Sequence, residues 1–280
     1  MTVNEIYQSG LKLLENNNIE NSKFEAQSLL QKAFSLDRVG FIIHKTDKAD
    51  ENCSHNFLKF IEKRISGEPL QYILGEWSFM GFDFKVGRGV LIPRDDTEVV
   101  VNLCIDFLEN RTDKKTVDLC SGSGAIAVAL DKISGAEVTA VEIDETAFSY
   151  LETNVKENNS SVKPVMADAL RICETFADGW LDLIVSNPPY IKSADIETLQ
   201  KEVQLEPRLA LDGGEDGCDF YREIVNRWSR KLKKGGALAF ELGENQADAV
   251  KALMTDKGFS DFKISLDFGG VQRAIIGTLL

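Results

Sequence analysis

Apolar residues are spaced differently in the first part of the chain and in the rest. In residues 2–17, 22–35 and 52–66 they recur every three or four positions, which is the spacing of an amphipathic helix. A shorter helix is expected at residues 37–44. Together these segments predict a small helical bundle in residues 1–66.

Residues 67–92 follow another pattern. Aromatic and β-branched residues alternate between glycines, most clearly in the run W-S-F-M-G-F-D-F-K-V at residues 77–86. Alternation with a period of two is typical of strands, and the glycine between the two runs favours a tight turn. We therefore expect a β-hairpin that links the helical bundle to a larger domain formed by residues 93–280.

The larger domain alternates helical segments with short apolar runs, beginning with a helix at residues 96–109. Strands are expected at residues 116–119, 137–142, 181–186 and 237–242 and in a run that ends near residue 166. This alternation predicts a doubly wound α/β fold with a mostly parallel sheet. The last two runs, at residues 262–267 and 273–279, lie too close together for a crossover helix and should pair antiparallel.

Composition limits the classes of protein to consider. At 280 residues, of which 43% are hydrophobic, the chain is long enough for one large and one small domain. No apolar run approaches the roughly 20 residues that span a bilayer, and no signal peptide is indicated at the start. The five cysteines form no C-x-x-C motif and are expected to be reduced thiols. We therefore expect a cytoplasmic protein with no membrane partner.

The net charge of −13 bears on the partner of the protein. Proteins that bind nucleic acids usually present a basic face, because neutralising phosphates supplies much of their affinity. One predicted helix carries a cluster of cations, which we interpret as a solvated face: Arg227, Arg230, Lys231, Lys233 and Lys234. The charge favours a protein substrate over DNA or RNA, and no stable binding of nucleic acid is expected.

The run Asn187-Pro188-Pro189-Tyr190 directly follows the apolar strand predicted at residues 181–186. Prolines cannot donate to a sheet, so the strand ends there and Asn187 lies at its carboxyl end, where ligands bind in open α/β sheets. The Asn187 amide and the proline carbonyls suit a planar –NH2 group. A proline-rich turn with a structural role is the alternative.

A glycine turn follows the first strand of the larger domain, and a helix is expected after it, from about residue 123 to 133. Gly122 and Gly124 allow a ligand to approach the backbone at the start of this helix. Glu142 ends the next strand about 20 residues after Gly122, which suits an acceptor for ribose hydroxyls. The pattern fits NAD, FAD and S-adenosylmethionine equally, and it also fits a purely structural turn.

Acidic residues favour S-adenosylmethionine among these ligands. Asp118 precedes the glycine turn in the arrangement D-x-x-x-G-x-G, where an acidic side chain helps to hold the cationic amino-acid moiety. Asp168, after a third strand, can accept from the exocyclic amine of adenine. In a right-handed doubly wound sheet, Asp118, Glu142, Asp168 and Asn187 should line one crevice, with Asn187 facing the methyl group.

With these motifs, the chain resembles the PrmC/HemK family of release factor glutamine methyltransferases, which are class I S-adenosylmethionine-dependent enzymes. The resemblance covers nearly the whole chain and rests on these stretches: G-E-P-L-Q-Y-I-L-G at 67–75, V-L-I-P-R at 90–94 with Thr97-Glu98, residues 118–127 and 187–191, and E-P-R-L-A-L at 206–211 followed by Gly213-Gly214. It implies a seven-stranded Rossmann-like sheet with an antiparallel last strand, and an N-terminal helical domain that docks the protein substrate.

The resemblance also implies an activity and a set of site residues. The family methylates the side-chain amide of the glutamine in the Gly-Gly-Gln tripeptide of bacterial class I peptide release factors. The substrate would be bound by Asn187, Pro188, Pro189 and Tyr190, of which Asn187, Pro188 and Tyr190 are assigned to catalysis. The cofactor would be bound by Asp118, Cys120, Ser121, Gly122, Ser123, Gly124, Glu142, Asp168, Ala169 and Asn187, without any metal ion.

Some positions depart from the family pattern. Cys120-Ser121 stand where Gly-Thr is common, and Asp95-Asp96 replace Pro-Glu. Glu142 replaces the commoner Asp, and Ala169 occupies a position that is often aromatic. Arg94 and Glu98 are expected either to order a loop over the cofactor or to form a structural ion pair.

Two other functions remain open from the sequence. The first is an amino methyltransferase that acts on a ribosomal protein glutamine or on nucleic acid, since N-P-P-Y is shared with such enzymes. The second is an NAD-binding or non-catalytic Rossmann protein, which would leave the N-P-P-Y turn without a purpose.

Overall fold

The computed structural model describes all 280 residues and contains two compact units. The first consists of Met1–Glu76 together with Gln200–Leu205, and the second of Trp77–Leu199 together with Glu206–Leu280. The functional division predicted at residues 66 and 92 stays a prediction, because the compact units are defined by packing alone.

The first unit is helical, as the periodicity of its apolar residues predicts. Its helices are α1 Val3–Asn16, α2 Ser22–Phe34, α3 Arg38–His44, α4 Glu51–Ile65 and α5 Leu70–Leu74. Leu14, Leu29, Phe57 and Ile61 are fully buried and form its core. The short helix α5 was not predicted, since its residues were assigned to the region of the hairpin.

A buried arginine organises polar contacts within this unit. Arg64, on α4, has only 4% of its surface exposed. Its Nε lies 2.5 Å from Glu25 Oε2, and its Nη2 lies 2.5 Å from Glu202 Oε1. Because Glu202 belongs to Gln200–Leu205, the ion pair fastens that short segment to the helices of the first unit.

The second unit contains a hairpin and a seven-stranded sheet, which confirms the predicted fold class. The strands are β1 Glu76–Phe79, β2 Phe82–Lys85, β3 Lys115–Leu119, β4 Glu137–Glu142, β5 Lys163–Met166, β6 Leu181–Ser186, β7 Leu232–Glu241, β8 Phe259–Leu266 and β9 Gln272–Leu279. The helices are α6 Thr97–Leu108, α7 Ala125–Ala129, α8 Glu145–Glu157, α9 Asp219–Trp228 and α10 Ala247–Asp256. No helix of the protein is both long enough and apolar enough to cross a membrane.

The large sheet has the strand order β5-β4-β3-β6-β7-β9-β8. The first five strands in this order are parallel, and β9 runs antiparallel to its two neighbours, β7 and β8. The predicted antiparallel pairing of the last two strands is therefore confirmed. The last strand of the chain lies inside the sheet rather than at its edge.

The hairpin is held in place by the start of α6. Met80 and Gly81 connect β1 to β2, and both have positive φ angles, of 51° and 81°. Such angles are typical of the tight turns that match the twist of two paired strands. Glu98 Oε1 accepts the backbone N–H of Met80 at 3.1 Å, so the carboxylate of Glu98 fixes the hairpin turn.

β6 lies in the middle of the sheet, and all six of its side chains are buried. Leu183 and Val185 belong to one hydrophobic cluster, whereas Ile184 packs into another that contains Tyr221 and Trp228. Burial on both faces explains why the run is continuously apolar. The turn that follows β6 is consequently attached to a strand that is buried on both faces.

The predicted basic helix face is wrong. α9 ends at Trp228, so only Arg227 lies on it; Lys233 and Lys234 are part of β7. Four of the cations have acidic partners: Arg227 with Glu223, Arg230 with Glu174, Lys231 with Asp178 and Lys233 with Asp182. Sequence periodicity could not reveal this, because three of these partners are more than fifty positions away.

The contacts of Arg64 predict how much this residue contributes to the stability of the protein. Arg64→Ala leaves Glu25 buried without a partner, which should lower the free energy of unfolding by about 3 kcal/mol. Glu202→Gln is the matched control, because Glu202 is far more exposed and its loss should change stability by less than about 1 kcal/mol. Urea unfolding followed by far-UV circular dichroism measures both. An effect of Arg64→Ala no larger than that of Glu202→Gln would contradict this account.

Candidate active site

A cavity of about 270 Å³ lies at the carboxyl edge of the sheet. Its walls contain the residues at the ends of four neighbouring parallel strands: Cys120–Ser123 after β3, Val141–Asp144 at the end of β4, Ala167–Leu170 after β5, and Asn187 with Pro189 after β6. The fold thus brings together the four strand ends that the sequence analysis selected.

Most of the predicted site residues line this cavity: Cys120, Ser121, Gly122, Ser123, Glu142, Asp168, Ala169, Asn187 and Pro189. The other four do not line it: Asp118, Gly124, Pro188 and Tyr190. Phe220, on α9, also lines the cavity and was not predicted. The only feature of the sequence that could have indicated Phe220 is its place at the start of a helix, shortly after the glycines at 213, 214 and 217.

The glycine turn has a backbone that suits a closely bound ligand. Gly122 and Gly124 have φ angles of 55° and 83°, a region that favours glycine. A side chain on Gly124 would collide with Leu151, whereas one on Gly122 would meet no atom within 4 Å. Gly122 therefore leaves open space next to the cavity. Cys120, where the family commonly has glycine, also has a positive φ of 59°.

Glu142 holds the turn in place through both of its carboxylate oxygens. Oε2 accepts the backbone N–H of Gly122 at 2.8 Å, and Oε1 accepts those of Ile143 and Asp144, each at 2.8 Å. The sequence analysis anticipated a ribose-binding role but not these bonds. Since each oxygen can accept two hydrogen bonds, Oε2 can still accept one from a ligand.

Asp118 lies directly beneath the turn and is completely buried. Its Oδ2 accepts from the Ser121 hydroxyl at 2.8 Å, but Oδ1 has no hydrogen-bond partner. Burial raises the pKa of Asp118 to about 7. A buried carboxylate oxygen without a partner is unfavourable, so a positive charge bound in the neighbouring cavity would stabilise the ionised carboxyl.

Asp168 and Ala169 form the wall after β5. Asp168 Oδ1 accepts the backbone N–H of Leu170 at 2.8 Å, which leaves the carboxylate at the cavity with a fixed orientation. The backbone carbonyl of Ala169 accepts the indole N–H of Trp228 at 2.9 Å. The ring of Phe220 lines the same cavity, which gives it an aromatic wall although Ala169 supplies none.

Asn187 is the polar group at the end of β6. Ser186, just before it, donates its hydroxyl to the carbonyl of Leu119 at 2.7 Å and so ties β6 to β3. Asn187 Nδ2 lies 3.5 Å from the hydroxyl of Thr97, the first residue of α6. Both Asn187 and Thr97 line the cavity, and the amide oxygen Oδ1 is left to a ligand.

Tyr190 points towards the end of β7. Its hydroxyl donates to Glu241 Oε1 at 3.2 Å, and its backbone carbonyl accepts from Gln246 Nε2 at 3.0 Å. The phenol lies behind the cavity wall. The predicted packing of Tyr190 against a glutamine substrate stays a prediction.

Gly213 braces the N-P-P-Y turn from outside. Ile191 N–H donates to the carbonyl of Leu211 at 2.9 Å, and Gly213 N–H donates to that of Ile191 at 2.8 Å. A Cβ on Gly213 would lie 2.7 Å from the Tyr190 Cα and 2.8 Å from the Pro189 carbonyl oxygen. This close approach explains why glycine is needed after the E-P-R-L-A-L segment.

Glu206 fixes the I-P-R part of the cavity wall. Its Oε2 accepts the backbone N–H of Ile92 at 3.0 Å, and its Oε1 pairs with the Arg94 guanidinium. The partner of Arg94 is therefore Glu206, and an ion pair between Arg94 and Glu98 does not form. No group of three or more histidine, cysteine or acidic side chains is arranged to hold a metal ion.

Comparisons with known proteins identify the family of the chain. A family model described as the PrmC N-terminal domain matches residues 5–75, and one described as the methyltransferase small domain matches residues 94–209. A release factor glutamine methyltransferase from Geobacter sulfurreducens is 40% identical over 263 residues, covering 93% of this chain and 91% of the relative. One from Clostridium acetobutylicum is 33% identical over 289 residues, covering 99% and 98%.

Solved structures support the fold alone. A methyltransferase from Pyrococcus furiosus superposes with a TM-score of 0.55 at 21% sequence identity, over 72% of this chain and 90% of that one.

The burial of Asp118 predicts a pH dependence of stability. Because its pKa is raised to about 7, from a usual value of about 4, the protonated carboxyl favours folding at low pH. That contribution is lost as the pH rises through about 7. Asp118→Asn, which cannot ionise, should therefore show a smaller fall in Tm between about pH 5 and 8.

Thermal unfolding at several pH values tests this expectation. The exposed Asp106→Asn is the matched control and should follow the unaltered protein. If Asp118→Asn showed the same fall in Tm as the control, the buried carboxyl would not be the source of the pH dependence.

Proposed function

The chain belongs to the release factor glutamine methyltransferase family, and from this membership we propose its reaction. It transfers a methyl group from S-adenosylmethionine to the side-chain amide nitrogen of the glutamine in the Gly-Gly-Gln motif of bacterial class I peptide release factors. The observation that carries the proposal is Asn187. It lines the cavity at the end of the central strand β6, and its amide nitrogen is turned to Thr97, which leaves the amide oxygen to a ligand.

The residues around the cavity suit S-adenosylmethionine. Asp118 lies next to the cavity residue Ser121, where its negative charge suits the positively charged amino group, and the open side of Gly122 allows close approach. Glu142 Oε2 can accept from a ribose hydroxyl, and Asp168 can accept from the adenine amine. When bound, S-adenosylmethionine supplies a methyl group activated by its positively charged sulfur.

Asn187 and Pro188 position the substrate amide. An amide nitrogen is a poor nucleophile, because its lone pair is delocalised into the carbonyl group. Asn187 Oδ1 accepts one N–H of the substrate glutamine, and the carbonyl of Pro188 accepts the other. These bonds orient the nitrogen and stabilise the positive charge that grows on it. No general base is required, since an N-methylated amide cation loses its proton readily.

Charge supports a protein substrate. The net charge is −13, and four of the five cations that the sequence grouped together are individually paired with carboxylates. A nucleic acid would meet no extended basic surface there. We assign substrate docking to the N-terminal helical domain, residues 1–66.

Methyl transfer to a purified class I release factor tests the function. With labelled S-adenosylmethionine, label should appear on the unaltered factor and be absent from the factor whose Gly-Gly-Gln glutamine is changed to alanine. Asn187→Ala should lower kcat by about 10²- to 10³-fold, because it removes an acceptor aimed at the charge that develops on nitrogen. Asn102→Ala, an exposed position on α6, is the control and should leave the rate unchanged.

The proposed substrate and the proposed role of Asn187 can be refuted separately. No label on the factor, with S-adenosylmethionine binding intact, would overturn the substrate and direct attention to a ribosomal protein glutamine or to nucleic acid. Label transferred at an undiminished rate by Asn187→Ala would leave the substrate in place and overturn the role of Asn187.

A further inference from the structure

Large apolar side chains that remain exposed are unevenly distributed over the second unit. Two of them, Ile133 and Leu280, lie at the edge of the sheet remote from the cavity, since they come before β4 and after β9. The other five lie at the carboxyl edge, where the cavity is: Ile143, Met166, Leu209, Leu266 and Phe268. Single exposed apolar residues are ordinary, but their concentration on one side of a molecule indicates a surface that binds a partner.

Phe268 is the most exposed of these residues, at 97%. It lies in the turn between β8 and β9, and Leu266, which is 56% exposed, ends β8 just before it. Hydrogen bonds fix this turn: Asp267 Oδ1 accepts the backbone N–H of Val271 at 2.9 Å, and the Asp267 carbonyl accepts that of Gly270 at 3.0 Å. The chain thus holds an aromatic ring in a defined turn where the ring gains almost no burial.

The register of the sheet carries this turn beyond the end of β6. Ser186 lies opposite Phe240 of β7, which lies opposite Ile275 of β9, so Asn187 is level with Ala274. Because β9 runs antiparallel to β7, residues before Ala274 extend past the end of β6, and the turn at residues 267–271 begins about 10 Å further out. Only β7 separates β9 from β6, a sideways distance of about 10 Å. The turn therefore lies about 15 Å from Asn187, above the edge of the sheet.

Arg273 joins the turn to the wall of the cavity. Its Nη2 lies 2.9 Å from Asp267 Oδ2, and its Nε lies 3.5 Å from Asp96 Oδ2. The side chain of Asp267 is only 5% exposed. Asp96 directly precedes Thr97, which lines the cavity. The turn that carries Phe268 is consequently fastened to the start of α6, on the side of the sheet edge that contains the cavity.

The glutamine of a protein substrate brings its neighbours with it. When the side chain enters the cavity, the main chain on both sides must cross the mouth, and each residue advances the chain by about 3.3–3.6 Å. A substrate residue about four positions from the glutamine can therefore reach the turn. Leu209 lines the cavity and is 51% exposed, so the apolar surface begins at the cavity itself.

We propose that Phe268 binds the protein substrate, by packing against an apolar side chain of the release factor a few residues away from its Gly-Gly-Gln glutamine. This inference rests on the function proposed above. Phe268 does not touch the reacting atoms. It contributes to the affinity for the factor and not to the methyl transfer itself.

The charges around the turn favour a protein segment over a nucleic acid. An exposed aromatic ring could also stack on a base, but a nucleic acid needs cations for its phosphates. Arg273, the cation next to the turn, is already paired with Asp267 and Asp96. Glu244 is exposed two residues after Leu242, whose backbone pairs with Arg273. Phosphates would therefore meet negative charge here.

Steady-state kinetics with the purified release factor test the role of Phe268. Phe268→Ser should raise the KM for the factor about tenfold, the effect of truncating an aromatic residue that a partner buries. The kcat, the KM for S-adenosylmethionine and Tm should not change, because only binding of the factor is lost and the ring is not packed in the fold. Phe268→Leu, which keeps an apolar side chain, should stay within about threefold of the unaltered protein.

Leu280→Ser is the matched control, because Leu280 is 73% exposed and lies at the opposite edge of the sheet. It should leave the KM for the factor unchanged. A direct titration of the factor, in the presence of S-adenosylhomocysteine, should show the same order of affinities as the KM values. Binding of a single-stranded RNA oligonucleotide, measured with the same proteins, tests the other class of partner.

The outcomes separate the two proposals. If the unaltered protein methylates the factor and Phe268→Ser keeps its KM, the role of Phe268 is overturned while the function stands. An equal rise of KM in Leu280→Ser, a fall in kcat instead of a rise in KM, or a loss of RNA binding alone would also overturn it. If the unaltered protein transfers no methyl group to the factor, the proposed function fails and the inference fails with it.

Discussion

The whole site depends on four parallel strands that end at the same level. Across β5, β4, β3 and β6, Leu119 lies opposite both Val141 and Ser186, and Glu142 lies opposite Met166. The residues that follow these positions therefore emerge side by side at one edge of the sheet. A shift of one residue in any of these strands would turn its last side chain to the other face, so the register of the hydrophobic core determines the geometry of the site.

This edge contains acidic groups in surroundings that disfavour their charge. Asp118 and Glu241 are both buried, both have a pKa raised to about 7, and each has one oxygen without a partner. The apolar side chains of the surrounding strands bury both carboxyl groups. The protein thus keeps its least favourable polar atoms close to the candidate site, a common compromise between stability and function.

Local sequence pattern was sufficient to predict most of the helices and strands and the ends of the strands, but not which side chains pair with one another. The run at 181–186 and the two prolines after it determine where Asn187 lies, because apolar burial and the missing N–H groups act locally. The pairing of Arg94 with Glu206 and that of Arg64 with Glu202 could not be predicted in this way. These contacts join elements more than a hundred residues apart, and only the folded chain determines which charge is nearest. The backbone bonds of Glu142 were missed because sequence spacing indicates where a carboxylate lies, not which groups it has already bound.

The position of β9 has a consequence for how the protein is made. β7, which ends at Glu241, and β8 are both synthesised before β9, the strand that pairs with each of them. On a nascent chain β7 therefore has an unpaired edge, and β8 has no partner in the sheet, until Gln272–Leu279 has left the ribosome. Unpaired edges are the sites at which chains join wrongly. The backbone pairing of Leu242 with Arg273, 2.8 Å between N and O, closes this edge next to Glu241, so the buried surroundings of Glu241 and of its partner Tyr190 are completed only after Gln272–Leu279 has been translated.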